Sequence, residues 1–314
     1  MLSPPFINYA LFRIQLACLH DKAIHPKWLA SRPLRYRMKD IWYRAWHRLC
    51  ARSYYERITV LHPERLSHCG ATLYLGLHRN GAVDGFIYHQ IVPRGVFLIS
   101  TQLLRSFFAR LFFCGIAVAR SKDAENGSRN EESLRQCGDL LAAGGELIVF
   151  PEGTSSLGPR HLPFKSGALR IALDALARGI PLRIIPMGIH YERAWAFRSR
   201  VEVFVGEPIT TDMPVGLSEL GRLKELKKRV TAALETVGAN FESEGAQTDA
   251  ERLAYAATLG TSCHYFTSLK VFEMGVPEAL LARWRELESQ VASCGVLRHQ
   301  GVPLFPVGSW FLYV

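Results

Sequence analysis

The alternation of short apolar runs with amphipathic runs is the feature that most restricts how this chain can fold. Apolar runs of strand length occur at residues 71–77, 95–100, 146–151 and 182–191. The segment SGALRIALDALARG at 166–179 repeats its apolar residues at the three-to-four spacing of a helix, and a glycine ends it. Strands that alternate with helices predict an α/β fold, in which a layered, mostly mixed sheet is flanked by helices.

Further elements follow from the same patterns. Other strands are predicted at 58–62, 116–119 and 201–209, and other helices at about 101–113, 131–143, 217–237, 249–270 and 277–292. The polar segment ESEGAQT at 242–248 is typical of a linker. We therefore predict three regions: N-terminal amphipathic helices at 1–59, a central domain at 60–240 and a C-terminal helical extension of unassigned role at 241–314.

The N-terminal region combines aromatic and basic residues. Residues 22–57 contain ten Lys/Arg and seven Trp/Tyr, and the apolar residues from Met38 to Leu49 recur at helical spacing with arginines between them. Such a helix suits the headgroup level of a bilayer, where anionic lipid attracts each basic residue by about 1 kcal/mol. The alternative is a helix that packs its aromatic face on the protein's own core. We favour a membrane surface.

The net charge, the length of the apolar runs and the spacing of the cysteines indicate which partners and which compartment to expect. The net charge of +10 indicates an anionic partner, but no nucleic-acid-binding motif accompanies it, so nucleic acid is not expected. No apolar run reaches the 18 residues of a spanning helix, and the first residues lack the pattern of a signal peptide. The seven cysteines are scattered and form no CxxC pair, so a metal site is not predicted. We expect a peripheral protein on the cytoplasmic face of a membrane.

A histidine and an aspartate flank a turn directly after the apolar run at 71–77. His78 and Asp84 are separated by five residues that include the turn dipeptide Asn80-Gly81. A carboxylate on one imidazole nitrogen fixes the tautomer and makes the other nitrogen a better base. No serine or cysteine nucleophile adjoins this pair, so the pattern favours direct attack by a substrate hydroxyl. A solvated loop pair is the alternative.

A second polar cluster, FPEGTSS at 150–156, follows another apolar run. Gly153 can adopt backbone angles that expose its N–H, and hydroxyls follow it. With Lys165 nearby, the segment is a candidate binding site for an alcohol or a phosphate. The alternative is a turn rich in small residues. Arg120, at the end of the run at 116–119, is a candidate phosphate contact or a partner for nearby acidic residues.

Four blocks in this order resemble the glycerolipid acyltransferase superfamily, the bacterial lysophosphatidate acyltransferases and their relatives. They are HRNGAVD, GIAVAR at 115–120, FPEGTSS with LPFKSGA, and IIPMGI at 184–189. The resemblance implies a fatty acyl thioester donor, either acyl-coenzyme A or acyl carrier protein, and no cofactor or metal. It makes 60–240 the catalytic domain.

The resemblance also assigns roles to residues. It implies that His78 is the general base and Asp84 its orienting carboxylate. It assigns the other candidates to substrate contacts, and these are Asn80, Gly81, Arg120, Glu152, Gly153, Thr154, Ser155 and Lys165.

Two departures from the family pattern leave the acceptor open. The commoner first block has four residues between His and Asp, and the longer spacing here resembles some glycerol-3-phosphate acyltransferases. The third block usually has an arginine after the threonine, where this chain has Ser155. The lost cation favours a lyso-lipid acceptor, whereas the spacing favours glycerol 3-phosphate. A non-catalytic lipid-binding protein on the same fold is the remaining alternative.

Overall fold

A computed structural model describes residues 34–66, 70–104, 112–118 and 127–293. Within them lie seven strands: β1 Arg57–Leu61, β2 Thr72–Gly76, β3 Val96–Ser100, β4 Ile116–Val118, β5 Glu146–Val149, β6 Arg183–Tyr191 and β7 Arg200–Val205. The α-helices in the same ranges are α1 Leu34–Tyr54, α2 Ala82–Ile91, α3 Gly127–Ala142, α4 Gly167–Ala177, α5 Glu219–Val237, α6 Glu244–Thr258, α7 Tyr265–Glu273 and α8 Glu278–Ser293. Short 3₁₀ helices occupy Pro63–Arg65 and Thr101–Leu104.

The strands form one mixed sheet in the order β1-β7-β6-β2-β5-β3-β4. Neighbouring strands are parallel except β6 and β7, which are antiparallel. Strand β2 lies at the centre, and all five of its residues are buried. A strand that is covered on both faces has no need of polar alternation, which is why β2 carries no alternating polar residues after Thr72. The predicted α/β fold with a mixed sheet is confirmed.

Helices cover both faces of the sheet. On one face, side chains of α3, α4 and α5 pack against Leu73 and Leu75. On the other face, Ala51 of α1 and Ile87 of α2 pack around Tyr74 of β2. Successive residues of β2 therefore enter opposite cores, as the two-residue period of a strand requires.

Several predicted elements have different limits. The expected linker at 242–248 is wrong, because the Ser243 side chain accepts a hydrogen bond from the Ala246 N–H at 3.1 Å and α6 begins at Glu244. The expected helix at 249–270 is two helices, α6 and α7. The strand expected at 201–209 ends at Val205, and beyond it Ile209 forms an isolated bridge to Ile184.

Two other differences concern helices. The sequence pattern gave no indication of α2, whose ten residues include Gly85, a poor helix former. The helix expected at 101–113 is a 3₁₀ helix over Thr101–Leu104, and residues 105–111 lie outside the described part of the chain.

The C-terminal helices dock on the central domain through a buried carboxylate. Glu202 of β7 accepts hydrogen bonds from the backbone N–H groups of Tyr265 and Phe266, at 3.0 and 2.8 Å. These N–H groups belong to the first turn of α7, which has no partners for them within the helix. Helices α6 and α7 share their own apolar cluster, which includes Ala250, Ala254 and Leu269.

In the described ranges, no helix combines the length and the apolar character that crossing a membrane demands.

The buried His190 generates a prediction about acid stability. Its Nε2–H donates to the Val237 carbonyl at 2.8 Å, and its ring stacks on Phe266 at 4.0 Å. Burial lowers the pKa of His190 to about 3. A lowered histidine pKa means that the folded state favours the neutral form of the ring. The contribution of His190 to the free energy of unfolding is therefore fully present above the ordinary pKa of 6.5 and is lost as the pH falls towards 3.

We expect His190→Gln to reduce the loss of stability between pH 7 and pH 4.5 by roughly 2–3 kcal/mol. Glutamine stays neutral and can still donate to Val237. Urea unfolding at both pH values measures the effect, with the exposed His264→Gln as the matched control. An unchanged pH dependence in His190→Gln would contradict the assignment.

Candidate active site

The predicted site residues meet at the carboxyl edge of three neighbouring strands. Strand β2 lies between β5 and β6 and is parallel to both. His78 follows β2, Glu152 follows β5, and Tyr191 ends β6. Because the carboxyl ends of parallel strands share one edge of the sheet, residues that are far apart in sequence come together there.

His78 and Asp84 are in direct contact. The His78 Nδ1 atom lies 2.9 Å from the Asp84 Oδ2 atom. Gly81 allows the chain to turn back so that Asp84 reaches His78. Its φ of +56° is disfavoured for residues with a Cβ, and α2 starts at the next residue. Asp84 is thereby placed in the first turn of α2, where its charge also suits the helix N-terminus.

The Asp84 carboxylate is fully buried and accepts three further hydrogen bonds. Its Oδ2 accepts from the backbone N–H groups of Arg79 and Asn80, at 2.7 and 2.8 Å. Its Oδ1 accepts a hydrogen bond from the Tyr191 hydroxyl. The exposure of the Asp84 side chain is 0%, and these donors replace the water that burial removed.

These donors fix the tautomer of His78. Backbone N–H groups can only donate, so Asp84 acts as an acceptor towards all its partners. The His78 Nδ1 must then carry the proton, which leaves Nε2 with a free lone pair. The ring stacks on Phe150 with centroids 4.3 Å apart and planes 10° apart, and its side chain is 17% exposed. The arrangement presents an oriented base at the surface of the site.

Glu152 ties two loops together. Its Oε1 accepts from the backbone N–H of His78 at 2.9 Å, and its Oε2 accepts from that of Leu162 at 3.1 Å. The residue is 1% exposed, and burial raises the pKa of its carboxyl group. Each of its oxygens thus accepts from the backbone, which gives Glu152 a role in holding the two loops, and its predicted substrate contact stays a prediction.

The glycine turn after Glu152 also differs from the prediction. Gly153 has a φ of +71°, but its N–H donates to the Phe150 carbonyl at 3.0 Å and is not available to a substrate. Lys165 packs over it, since a Cβ at Gly153 would lie 2.6 Å from the lysine Nζ. Among the described residues, none accepts a hydrogen bond from the backbone N–H of Thr154 or Ser155.

Ser155 and its neighbours lie beside the turn between His78 and Asp84. The Ser156 N–H donates to the His78 carbonyl at 3.0 Å, and the Ser155 hydroxyl lies 3.9 Å from where a Cβ on Gly81 would be. The second and first polar clusters of the sequence are therefore adjacent in space.

The remaining predicted residues have different positions. Asn80 is 4% exposed, and its Nδ2 donates to the Ala194 carbonyl at 3.1 Å, so it holds the loop after β6, and its predicted substrate contact stays a prediction. Arg120 lies outside the described residues.

Sequence reasoning missed Tyr191 and Phe150. Tyr191 orients the carboxylate, and Phe150 supports the imidazole. Both residues stand at the ends of predicted strands next to β2, which is the signal that could have identified them. Burial and the Asp84 carboxylate raise the pKa of the Tyr191 hydroxyl, so it remains a donor.

Comparisons with known proteins agree on one family. The Acyltransferase family model matches residues 57–190. The chain is 34% identical over 117 residues to glycerol-3-phosphate O-acyltransferase 2 of Saccharomyces cerevisiae, covering 35% of this chain and 16% of that protein. It is 32% identical over 142 residues to a 1-acyl-sn-glycerol-3-phosphate acyltransferase of Cocos nucifera, covering 41% and 43%. The chain thus spans less than half the length of both relatives.

A solved structure was also found. The crystal structure of the 1-acyl-sn-glycerophosphate acyltransferase of Thermotoga maritima aligns with a TM-score of 0.45 and 18% sequence identity. The alignment covers 73% of this chain and 89% of that one.

The contacts of Tyr191 lead to a stability prediction. We expect Tyr191→Phe to lower the free energy of unfolding by roughly 1–3 kcal/mol, because the buried Asp84 Oδ1 loses its donor. Tyr54→Phe, which removes a hydroxyl bonded to an exposed carbonyl, is the control and should change stability by no more than about 0.5 kcal/mol. Urea denaturation at pH 7 measures both, and equal effects would show that the hydrogen bond to Asp84 carries no special weight.

Proposed function

Because the chain belongs to the glycerolipid acyltransferase superfamily through its domain at residues 57–190, we propose that it moves a fatty acyl group from an acyl thioester to the hydroxyl of a lyso-(phospho)lipid. The observation that carries this proposal is the oriented His78–Asp84 pair. A binding protein needs no imidazole whose tautomer is held by a buried carboxylate with three other donors.

In the proposed reaction, the free Nε2 of His78 accepts the proton of the acceptor hydroxyl. The hydroxyl oxygen attacks the thioester carbonyl, and the C–S bond breaks when the tetrahedral intermediate collapses. The thiolate of coenzyme A or acyl carrier protein leaves and takes the proton from His78. Asp84 stays ionised and stabilises the imidazolium that forms between these steps.

The developing oxyanion needs donors that are not already used. We assign this role to the backbone N–H groups of Thr154 and Ser155 in place of Gly153, whose N–H is occupied. Their position beside the His78 turn supports the assignment. Lys165 is exposed at the same turn and can bind an anionic part of a substrate without the need to desolvate a buried cation.

Glycerol 3-phosphate is the second candidate acceptor. The specific observation in its favour is the five-residue spacing between His78 and Asp84, together with the similarity to a protein named glycerol-3-phosphate O-acyltransferase. Ser155 occupies the position where the family usually has a phosphate-binding arginine, which favours the lyso-lipid.

Helix α1 supports attachment to a membrane surface. Its buried side is formed by Tyr43, His47 and Cys50. In contrast, Ile41, Trp42 and Leu49 are 68%, 51% and 59% exposed. The apolar residues that the sequence pattern grouped on one face thus remain exposed, beside Arg44 and Arg48. We propose that this face enters an anionic lipid surface, on the cytoplasmic side where the acyl donors are made.

Replacement of the proposed base tests the mechanism. We expect His78→Ala to lower acyl transfer by about 10²–10⁴-fold, because general-base assistance is lost. A labelled-acyl transfer assay measures it, with acyl-coenzyme A and acyl carrier protein as donors. Lysophosphatidate, a zwitterionic lyso-lipid and glycerol 3-phosphate serve as acceptors and identify the preferred one.

A histidine outside the site provides the matched control. His264→Ala removes an exposed imidazole and should retain wild-type turnover. Equal turnover in His78→Ala and wild type, with both folded by circular dichroism, would exclude this mechanism. Absence of product with every pair, while lipid binding persists, would favour the non-catalytic alternative.

The exposed face of α1 can be tested separately. We expect the triple variant Ile41→Ser, Trp42→Ser, Leu49→Ser to bind anionic vesicles at least about tenfold more weakly, because each side chain contributes roughly 1.5–3 kcal/mol when fully buried. The control changes three exposed apolar residues elsewhere: Val215, Leu259 and Met274 to Ser. Co-sedimentation measures both. Equal loss in the two triple variants would mean that α1 is not the binding face.

A further inference from the structure

A small polar cavity lies between the catalytic turn and the C-terminal helices. Its volume is about 230 Å³, below the roughly 300–1,000 Å³ of pockets that hold drug-sized ligands. The core contributes Leu77, Arg79 and His161, and the C-terminal region contributes Glu251 and Tyr265. Helices α6 and α7 lie beyond the residues matched by the acyltransferase family.

This cavity is separate from the face of the turn that carries the proposed base. Leu77 and Arg79 line it, but the His78 ring does not, because successive residues of an extended chain point to opposite sides. The exposed Trp195 also lines it, so the cavity opens to the surface.

Polar groups in the cavity lack partners. Among the described residues, no hydrogen-bond partner is found for the Arg79 Nη1, the Tyr265 hydroxyl or either ring nitrogen of His161. Tyr265 is 1% exposed. Buried polar groups without partners are rare in folded proteins and call for a bound species that satisfies them.

The unused groups are mostly donors. Arg79 has two hydrogens on Nη1, whereas its Nη2 already donates to the Gly158 carbonyl at 3.0 Å. Its guanidinium has no carboxylate within salt-bridge distance among the described residues. Burial lowers the pKa of His161 to about 4, so its neutral ring offers one further N–H. A ligand that supplies several oxygens and negative charge matches this set.

Glu251 forms no ion pair within the described residues, although its charge interacts with the Arg79 guanidinium on the other side of the cavity. Its Oε1 accepts from the Gln247 side chain at 2.7 Å, and Glu192 is paired with Arg200. Burial raises the pKa of the Glu251 carboxyl group. We propose that the cavity is a binding site for a phosphate monoester group, held by Arg79, His161 and Tyr265.

The site touches the catalytic pair through two residues. The backbone N–H of Arg79 and the hydroxyl of Tyr191, which also lines the cavity, both donate to Asp84. A phosphate bound there joins helices α6 and α7 to the turn that carries His78. This provides a function for the C-terminal extension.

Isothermal titration with inorganic phosphate and with glycerol 3-phosphate, without any acyl donor, tests the site in the full chain. We expect one equivalent of inorganic phosphate to bind, Tyr265→Phe to weaken its binding about tenfold and Arg79→Gln to weaken it further. Glu251→Gln should tighten binding because it removes a carboxylate that lines the cavity and opposes a bound anion. Arg222→Gln, which removes an exposed cation from α5, should leave the affinity unchanged, as should His78→Ala.

A second arm distinguishes a free phosphate from a lipid headgroup. Micelles with lysophosphatidate and micelles with lysophosphatidylcholine are titrated against the same variants. If the Tyr265 and Glu251 variants change the affinity for the small phosphates, the occupant is a soluble phosphate. If they change only the affinity for lysophosphatidate, the occupant is a lipid headgroup. The proposal fails if no phosphate binds, or if the Tyr265, Glu251 and Arg79 variants all bind like wild type, in which case the cavity holds only water. Since His78→Ala retains the site, failure here is independent of the proposed reaction.

Discussion

The buried carboxylate of Asp84 is the interaction on which the rest of the site depends. A charge removed from water is costly unless hydrogen bonds replace its hydration. Here the donors come from three elements: the turn after β2, the imidazole of His78 and the Tyr191 hydroxyl at the end of β6. The same bonds that stabilise the charge also close the turn and set the tautomer of the base, so stability and the proposed chemistry cannot be separated at this residue.

A second buried carboxylate has a complementary task. Glu152 accepts hydrogen bonds from the His78 backbone and from the loop at Leu162, so it links the loops that follow β2 and β5. The Phe150 ring then fills the space behind the imidazole. Together these contacts restrict the orientation of the His78 ring. A group that is to accept a proton from a hydroxyl must be held in such a fixed orientation. Asp84 and Glu152, the acidic residues of the sequence blocks, thus organise the backbone around the His78 imidazole.

Sequence and structure agree best where burial decides the pattern. The central strands are mostly apolar because the parallel part of the sheet is covered on both faces, and that pattern is visible without coordinates. They differ where local signals compete. ESEGAQT has the composition of a linker, yet Ser243 caps a helix that packs on its neighbours. Helix α2 contains a glycine in its interior and is stabilised by packing beneath α1 and by Asp84, neither of which the local sequence shows.

The sequence by itself determined the α/β class, the family and the proximity of His78 and Asp84, because strand periodicity and a six-residue separation are local properties. Only the tertiary structure decided which groups remain available. Gly153 and Glu152 belong to the motif, but the Gly153 N–H donates to the Phe150 carbonyl and the Glu152 carboxylate accepts from the His78 backbone. Tyr191, which donates to Asp84, lies on a strand more than a hundred residues further along the chain. Hydrogen bonds between distant segments depend on how the strands are ordered in the sheet, and the pattern of apolar and polar residues along the sequence does not predict that order.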